Sequence, residues 1–225
     1  MTSATIASLG RARLFAGLGE DALTDLAERT IERNYPRGQI IFSRGDDDDS
    51  LYVLVQGRVK ITISAASGDE MLITTLRAPA TFGELALVDK GPRSASVEVA
   101  EQAKVLIINK IAWQDLVRVH PELSDALTRN LVTILRRLTD QASDLALLDL
   151  PGRVAKLLMR SYEGLGRPSA LDLRLTQTDI ANMVGGSRQS VNQILGHLVS
   201  RGYIEARGRI IVIKDPESLK RRAGF

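Results

Sequence analysis

Two pairs of residues in the middle of the chain could hold a phosphorylated ligand. Gly83-Glu84 is followed, after a short gap, by Arg93-Ser94. Glycine lets a backbone N–H approach a ligand closely, and a glutamate carboxylate can accept hydrogen bonds from a hydroxyl group. Arginine and serine supply the donors that a phosphate needs. Taken alone, however, the same residues fit a surface ion pair beside a turn better than they fit a binding site.

A second set of polar residues, in the last third of the chain, could read DNA. Thr176 and Asp179 have the spacing of a helix N-terminus. Gly185-Gly186 then predicts a turn, and Ser187 predicts the N-cap of a second helix. Two short helices joined by a glycine turn are typical of a helix-turn-helix. The second helix begins with side chains that can hydrogen-bond to base edges in the major groove: Arg188, Gln189, Asn192 and Gln193.

The predicted DNA contacts differ in their roles. Arg188 is the candidate for guanine, because a guanidinium can meet the O6 and N7 of that base together. Gln189 and Gln193 could read adenine or simply face water. Thr178 and Ser187 are predicted contacts to DNA phosphates. The alternative is a small helical domain that does not touch DNA.

The composition excludes several kinds of chemistry. The chain has no cysteine, which excludes disulfides, thiolate metal sites and cysteine-ligated iron–sulfur clusters. With only His120 and His197, it offers neither a histidine-rich metal site nor a nucleophile–base pair, so we expect no metal, no cofactor and no enzymatic activity. No apolar run reaches the roughly 18 residues that span a bilayer, and the N-terminus does not resemble a secretory signal. We therefore expect a cytoplasmic protein without membrane contact.

Charge is distributed unevenly along the chain. The net charge is +3, but residues 151–225 carry 13 Lys and Arg against 6 Asp and Glu, whereas the first 150 residues carry 17 against 21. A basic C-terminal third is typical of a segment that meets a polyanion. Together with the predicted helix-turn-helix, this charge makes double-stranded DNA the expected partner.

The hydrophobic pattern predicts an α+β chain. Residues 12–33 have helical periodicity, with a helix start at Gly19-Glu20-Asp21. From about residue 35 to residue 109, short β-branched runs separated by turn residues such as Gly57 predict a β-sandwich, roll or barrel. The acidic run 46–49 is interpreted as a solvated loop. The predicted strands are 39–42, 51–55, 59–64, 71–76, 94–100, 105–108 and 171–175, with a hairpin or wing at 203–206 and 209–213.

A long helix is predicted from about residue 121 to residue 148. Its apolar positions recur in steps of four and three, which predicts a parallel coiled coil in a homodimer. The alternative is a helix that lies along the β domain. Because Pro151 and Gly152 interrupt the helix, we predict a sensor domain over 1–120, a dimerisation helix and hinge over 121–149, and a DNA-binding domain over 150–225. The apolar positions are Leu127, Leu131, Ile134, Leu138, Ala142 and Leu145.

Several segments together resemble the cyclic-AMP receptor protein (catabolite activator) and fumarate-nitrate regulator family of transcription factors. The phosphate-binding cassette of that family is similar to Gly83-Glu84-Leu85-Ala86-Leu87 and Arg93-Ser94-Ala95. The resemblance extends to the Gly57 turn, the hinge at 148–154 and the Ser187-Arg188 start of the second helix. It implies an N-terminal cyclic-nucleotide-binding β-roll with a jelly-roll-like form, a long dimerisation helix and a C-terminal winged helix-turn-helix.

The resemblance also implies roles for individual residues. Glu84 would bind the ribose 2′-hydroxyl, and Arg93 and Ser94 would hold the cyclic phosphate. The resemblance makes cyclic AMP the expected effector. The best-known family pattern has two adjacent hydroxyl residues beside the base, whereas this chain has leucine first, so cyclic GMP stays open, although Thr139 could still reach the base. The other predicted ligand-binding residues are Gly83, Leu85, Ala86 and Ala95 in the cassette, Ile73 and Thr74 on a neighbouring strand, and Leu138 and Thr139 beside the base.

These observations predict a homodimeric transcription regulator that binds palindromic DNA, with nucleotide binding in the N-terminal domain controlling the affinity for DNA. RNA polymerase is a further candidate partner. The target sequence is not carried over from the family, because Gln189 and Gln193 replace residues of its recognition helix. The alternatives are a same-family regulator that responds to another ligand or to none, and a cyclic-nucleotide-binding regulatory subunit that acts on a protein partner. A phosphodiesterase has no residue pattern in its favour.

Overall fold

The computed structural model describes residues 3–64, 70–89, 91–173, 175–207 and 210–224. The chain divides into two compact units, Met1–Arg136 and Arg137–Phe225. Within the described ranges, no helix combines the length and the apolar character needed to cross a membrane.

The first unit is built around one antiparallel sheet. Its main path runs in the order β1-β6-β3-β4, while β2 pairs with β6 and β5 pairs with β3. The two long central strands therefore carry the rest of the sheet. The strands are β1 (Ile31–Tyr35), β2 (Ile40–Phe42), β3 (Leu51–Ser64), β4 (Glu70–Arg77), β5 (Ala80–Phe82) and β6 (Ser96–Ile108).

Two hydrophobic cores hold the first unit together. One lies inside the sheet and includes the aromatic rings of Phe42, Tyr52 and Phe82, the last two stacked with centroids 5.2 Å apart. The other lies between the sheet and the helices and includes Phe15 and Trp113. The helices of this unit are α1 (Ser3–Arg11), α2 (Glu20–Glu28), α3 (Leu85–Val88), α4 (Lys110–Val119) and the first part of α5 (Glu122–Leu147).

The turn predicted at Gly57 is wrong, because β3 continues through this position. Gly57 has a φ of +90°, and the register with β6 shifts on both sides of it. A Cβ at this position would lie 2.1 Å from the carbonyl oxygen of Gln102. Gly57 therefore marks an irregularity inside one long strand, where only glycine allows the backbone of β6 to approach so closely. The predicted strands 94–100 and 105–108 are likewise one strand, β6.

Replacing Gly57 with alanine is expected to lower the free energy of unfolding of the first unit by about 2–4 kcal/mol, because backbone strain and steric overlap add. The only tryptophan, Trp113, is buried in this unit, so urea unfolding followed by its fluorescence measures the change. Gly38→Ala is the matched control: its φ is +84°, but no described atom lies within 4 Å of the added Cβ. We expect that control to lose about 1 kcal/mol from strain alone. Equal losses for the two variants would contradict the close-approach account.

The helix predicted over 12–33 is shorter than expected. A single 3₁₀ turn at Arg13–Phe15 and α2, which begins after Gly19, replace it. The start at Gly19 is confirmed, but the chain enters β1 at Ile31, where it pairs with Ile107 of β6. Pairing with a strand far along the sequence therefore decides the conformation of 31–35, and helical periodicity does not.

The second unit contains the last part of α5 and a small three-stranded sheet in the order β7-β9-β8. The β8–β9 hairpin confirms the predicted wing, whereas β7 has two residues and is shorter than the predicted strand 171–175. One hydrophobic core joins these elements. They are α6 (Leu150–Gly164), β7 (Leu171–Asp172), α7 (Gln177–Val184), α8 (Arg188–Ser200), β8 (Ile204–Arg207), β9 (Ile210–Ile213) and α9 (Pro216–Arg222).

Local side chains confirm the predicted interruption between α5 and α6. Asp149 is the N-cap of α6, and its Oδ1 accepts a hydrogen bond of 2.8 Å from the backbone N–H of Gly152. Pro151 lies in the first turn, where its missing N–H costs nothing. The other carboxylate oxygen of Asp149 accepts a hydrogen bond of 2.6 Å from Arg222, which ties α9 to the start of α6.

Candidate functional site

Arg93 lies at the centre of the predicted phosphate site, three residues before the start of β6. Its residue surface is only 4% exposed. The guanidinium donates hydrogen bonds from Nη1 to the carbonyl oxygen of Gly83 at 2.9 Å and from Nη2 to that of Ser50 at 2.6 Å. The structure thus brings together Gly83 and Arg93, two residues that the sequence placed in one site.

Gly83 is required by this arrangement. Its φ is +79°, and a Cβ at this position would lie 2.7 Å from Nη1 of Arg93 and 3.1 Å from the carbonyl oxygen of Ser50. We expected this glycine to allow the close approach of a ligand. In this structure, the guanidinium of Arg93 lies close to it instead.

Asp48 completes the surroundings of Arg93 and was missed by the sequence analysis. Its Oδ2 accepts hydrogen bonds from Arg93 Nη2 at 2.5 Å and from Nε at 3.2 Å. Tyr52 donates its hydroxyl proton to the same oxygen at 2.7 Å, and the backbone N–H of Ser50 donates to Oδ1 at 3.0 Å. The interpretation of 46–49 as a solvated loop is wrong for this residue. The sequence shows the acidic run but not that one of its residues meets Arg93, which lies 45 positions further along the chain.

Aromatic rings cover the faces of the guanidinium. The Cζ of Arg93 lies 4.1 Å from the ring centroid of Phe42 and 5.3 Å from that of Tyr52. A cation over an aromatic ring is attracted by the negative face of the ring, more strongly where water is excluded. The buried charge is therefore stabilised by two rings in addition to the carboxylate of Asp48.

The pKa values of two side chains respond to this cluster. Burial by itself raises the pKa of Asp48, but hydrogen bonds from Arg93, Tyr52 and Ser50 and the charge of Arg93 outweigh it and hold the pKa below its usual range. Burial, and then the hydrogen bond to Asp48, raise the pKa of Tyr52 well above its usual range. Near neutral pH, Asp48 is therefore ionised and Tyr52 is protonated.

The other cassette residues surround the start of α3. Glu84 is the N-cap residue of this helix and is 9% exposed, Ala86 is buried, and Leu85 is 44% exposed. Lys110, which the sequence analysis did not single out, donates from Nζ to the carbonyl oxygens of Ala86 at 2.8 Å and Asp89 at 2.5 Å. A cation at the carbonyl end stabilises this short helix.

The remaining predicted ligand residues lie at several places. Ser94 is exposed and Ala95 is partly buried, next to Arg93. The register of β3 and β4 shifts between the pairs Ile61–Thr74 and Thr62–Leu72, so Ile73 is the extra residue of a β-bulge and is followed by Thr74. Bulges commonly re-aim side chains beside binding sites. Leu138 and Thr139 lie in the second unit, so their place beside the base stays a prediction.

The predicted caps of the helix-turn-helix are confirmed. Thr176 Oγ1 accepts from the backbone N–H of Asp179 at 3.0 Å, and Asp179 Oδ2 accepts from that of Thr176 at 2.8 Å, a complete capping box. Gly185 ends α7 with a φ of +64°, and Ser187 Oγ caps α8 by accepting from the N–H of Ser190 at 3.0 Å.

The predicted base-reading side chains all lie in water at the start of α8. Thr178 and Ser187, the predicted phosphate contacts, are exposed as well. The buried face of α8 is formed by Val191, Leu195 and Leu198, and Val199 is 40% exposed because it lies at the edge of that face. The exposed base-reading residues are Arg188, Gln189, Asn192 and Gln193.

Arg153 connects three segments of the second unit. Its Nε donates to the carbonyl oxygen of Val184 at 2.7 Å, at the end of α7, and its Nη1 donates to that of Leu148 at 2.8 Å, after α5. From the sequence, Arg153 was recognisable only as part of the hinge segment. Its guanidinium ties α6 to α7, the helix that precedes α8.

Comparisons with known proteins establish the family. Residues 32–120 match the family "Cyclic nucleotide-binding domain", and residues 152–222 match "Crp-like helix-turn-helix domain". The "CRP-like cAMP-activated global transcriptional regulator" of Mycobacterium tuberculosis is 36% identical over 219 residues, covering 96% of this chain and 98% of that protein. The "cAMP-activated global transcriptional regulator CRP" of Haemophilus influenzae is 32% identical over 183 residues, covering 80% and 82%. The chain therefore belongs to the cyclic-AMP receptor protein and fumarate-nitrate regulator family.

Solved structures support the same fold. A mutant of CooA from Carboxydothermus hydrogenoformans superposes with a TM-score of 0.79 at 20% identity, covering 99% of this chain and 97% of that one. The c-di-GMP responsive regulator CLP from Xanthomonas campestris gives 0.77 at 24%, covering 87% and 99%. The predicted α+β architecture, with a β-rich N-terminal domain and a C-terminal helix-turn-helix, is confirmed. The chain is a transcription regulator and not an enzyme, because its relatives are named regulators and it carries their DNA-binding domain.

Proposed function

We propose that this regulator binds a cyclic nucleotide at the Gly83–Ala95 segment and that the bound nucleotide controls its affinity for palindromic DNA. The observation that carries the proposal is the buried guanidinium of Arg93, held beside Gly83 within the part of the chain that matches a cyclic nucleotide-binding domain. A fixed arginine fork suits a phosphate. We expect the protein to act in the cytoplasm, and RNA polymerase stays a candidate partner.

Cyclic AMP is the effector that we propose, because the two relatives above are named cAMP-activated regulators. Arg93 and Ser94 would hold the phosphate together with the backbone of Gly83 and Ala95. Glu84 would accept a hydrogen bond from the ribose 2′-hydroxyl. Ile73, Thr74, Leu85 and Ala86 would form the walls, and Leu138 and Thr139 would face the base. Cyclic GMP is the competing purine. A different ligand is the second candidate, since the structurally similar CLP is described as c-di-GMP responsive.

For the DNA complex, we propose that the recognition helix α8 enters the major groove. Arg188, Gln189, Asn192 and Gln193 would contact base edges, and Thr178 and Ser187 would contact phosphates. We assign the sensor to 1–120, the dimerisation helix and hinge to 121–149, and DNA binding to 150–225. The exposure of the four base-reading candidates on α8, and of Ser187 at its N-cap and Thr178 on α7, supports the assignment of DNA binding to the last of these domains.

An exposed apolar stripe on α5 supports a homodimer. Leu131, Leu135, Leu138, Ala142 and Leu145 follow in steps of four, three, four and three, which is a heptad pattern. Three of these side chains are largely exposed: Leu135 by 64%, Leu138 by 43% and Leu145 by 45%. Three residues of the predicted stripe do not share this exposure. Leu127 is buried in the core of the first unit, Leu131 is partly buried against that core, and Ile134 is partly buried.

Replacing Leu135 with glutamate is expected to weaken dimerisation. Each subunit would lose the burial of one leucine, about 1.5–3 kcal/mol, so the dimer dissociation constant should rise by roughly 100-fold or more. Sedimentation velocity over a range of concentrations measures the change. Ile111→Glu is the matched control, because Ile111 is 72% exposed on α4, outside the stripe. A Leu135→Glu protein that stays dimeric at the same concentrations as the control would rule out this seam.

The direct test of the ligand is calorimetric titration of the nucleotide-stripped protein with cyclic AMP, cyclic GMP and cyclic di-GMP. We expect saturable binding of cyclic AMP, and the ratio of the two mononucleotide affinities measures the purine preference. Binding of cyclic di-GMP alone would favour the second candidate. No heat with any of the three would reject a cyclic nucleotide as the effector.

A further inference from the structure

The guanidinium that should receive the phosphate already has an anionic partner within the chain. Arginine has five N–H donors. Four hydrogen bonds join Arg93 to residues that the structure describes: Nε and Nη2 donate to Asp48 Oδ2, Nη2 also to the carbonyl oxygen of Ser50, and Nη1 to that of Gly83. The bonds to Ser50 and Gly83 hold the side chain in place. The pair of bonds to Asp48 occupies the Nε and Nη2 edge, a fork that can also donate to the oxygens of a phosphate.

A phosphate and a carboxylate compete for the same fork. Both offer oxygens that accept two parallel N–H bonds from arginine, and both neutralise its charge. In this structure, the Nε and Nη2 edge of Arg93 faces the carboxylate of Asp48. A nucleotide phosphate that approached this edge would meet a negative charge within hydrogen-bond distance of its own site.

We propose that Asp48 is an internal competitor for the nucleotide phosphate: its carboxylate occupies the Arg93 fork until the ligand displaces it, and it thereby sets the affinity of the pocket. The proposal rests on the proposed function, since it assumes that a cyclic nucleotide binds at Arg93. It adds a residue that no family pattern cited above assigns to ligand binding. The apparent affinity falls by the fraction of molecules in which Arg93 is available to the ligand.

The positions of the two side chains allow this exchange. The side chain of Arg93 is 3% exposed, whereas that of Asp48 is 26% exposed and lies at the water-facing side of the pair. When a phosphate replaces the carboxylate, the buried cation keeps an anionic partner, so it is never left uncompensated. The displaced carboxylate moves toward water, where it is solvated. Phe42 stays beneath the guanidinium in both states, at 4.1 Å from Cζ here.

Only an anionic ligand can carry out this exchange. A nucleoside without the phosphate offers nothing to the Arg93 fork and cannot compensate for the loss of Asp48. The internal ion pair therefore lowers the affinity of the pocket for uncharged nucleosides, and also for ligands whose phosphate binds Arg93 only weakly. Since both ligand classes contain the same base and ribose, adenosine and cyclic AMP are the pair of probes that isolates this effect.

The test compares two charge-removing variants of the same loop in the full-length protein. Asp48→Asn removes the charge at the Arg93 fork, and Asp47→Asn removes the same charge from an exposed neighbour. By titration calorimetry, we expect the dissociation constant for cyclic AMP to be about tenfold or more lower for Asp48→Asn than for wild type. A change of this size corresponds to the loss of one competing hydrogen bond to a charged group. For Asp47→Asn, we expect a change of less than about threefold, because an exposed charge is screened.

A thermal measurement gives an independent readout. Without nucleotide, Asp48→Asn leaves the buried Arg93 without its carboxylate partner. We therefore expect a lower midpoint temperature of unfolding, which the fluorescence of Trp113 measures. Saturating cyclic AMP should raise this midpoint more in Asp48→Asn than in wild type, whereas adenosine should not. If the variant fails to fold, Tyr52→Phe replaces it: loss of the hydroxyl that holds Asp48 at 2.7 Å should tighten cyclic AMP binding by a smaller factor, about two- to fivefold.

The sign of the change separates the possible roles of Asp48. Tighter binding in Asp48→Asn but not in Asp47→Asn supports an internal competitor, even if wild type itself binds too weakly to detect. Equal binding in wild type and Asp48→Asn overturns the proposal and leaves the proposed function intact. Weaker binding in Asp48→Asn also overturns it and shows that Asp48 positions Arg93 for the ligand. No cyclic AMP binding by any of the proteins rejects the proposed function, and this inference with it.

Discussion

Replacing Arg93 with alanine is expected to weaken cyclic AMP binding by at least about 100-fold, beyond the range of ordinary calorimetric titration. The variant loses the charge-assisted hydrogen bonds of the fork, each worth about 1.5–3 kcal/mol, and two such bonds account for this factor. Arg93→Lys should retain only part of the affinity, because an ammonium group places one point charge where the guanidinium has a planar fork. Titration of both variants beside wild type measures the loss.

Arg37→Ala is the matched control for this experiment. Arg37 is exposed in the same unit, so its removal changes the net charge equally without touching the pocket. Arg93 also donates hydrogen bonds to the carbonyl oxygens of Gly83 and Ser50, so its removal could disturb the fold. The circular dichroism of each variant should therefore match that of wild type before the titrations are compared. A folded Arg93→Ala protein that binds cyclic AMP as tightly as Arg37→Ala would show that the phosphate is held elsewhere.

Replacing Arg188 with alanine is expected to remove most of the sequence preference for DNA. One arginine–guanine contact contributes about 1–3 kcal/mol of discrimination, and a symmetric dimer loses two of them, so affinity for a selected site should fall by roughly 30-fold or more. Affinity for unrelated DNA should change little, because phosphate contacts supply that part of binding. Fluorescence anisotropy with a selected site and with a scrambled site measures the ratio of the two affinities.

Arg201 provides the control at the opposite end of the recognition helix. It is the exposed C-cap residue of α8, so Arg201→Ala removes the same charge from the same helix. We expect that variant to lower the affinity for both DNA sites similarly and to retain their ratio. If Arg188→Ala also retained the ratio, Arg188 would be a phosphate contact and the base reading would belong to other residues of the helix.

The helix-turn-helix could be predicted from the sequence because its determinants are local. A capping box needs residues three apart, and the turn needs a glycine directly after α7. Thr176, Asp179 and Gly185 therefore predict the start and the end of α7 from only ten residues of sequence. The structure confirms the capping box and the glycine that ends the helix. The interruption at Asp149 is of the same kind, since its cap bond reaches only to Gly152.

The first unit was harder to predict because its determinants lie far apart along the chain. Gly57 resembles a turn residue locally, but contact with Gln102 of β6 makes it part of a continuous strand. Residues 31–35 have no local strand pattern, and pairing with β6 imposes one. Asp48 and Arg93 form an ion pair although they lie 45 positions apart along the chain. The sequence gives no local sign of this contact, so the acidic run was interpreted as a solvated loop.

The most direct test of the central claim is the affinity for DNA with and without cyclic AMP. A DNA site should first be selected from a random-sequence pool by the full-length protein, in parallel with and without the nucleotide, and its dissociation constant should then be measured at fixed salt. A coupling of about 1–3 kcal/mol between the two sites is usual, so we predict that saturating cyclic AMP tightens binding to the selected site by roughly fivefold or more. Equal affinity for that site in both conditions, with the pocket shown to be saturated, would contradict control of DNA binding by the nucleotide.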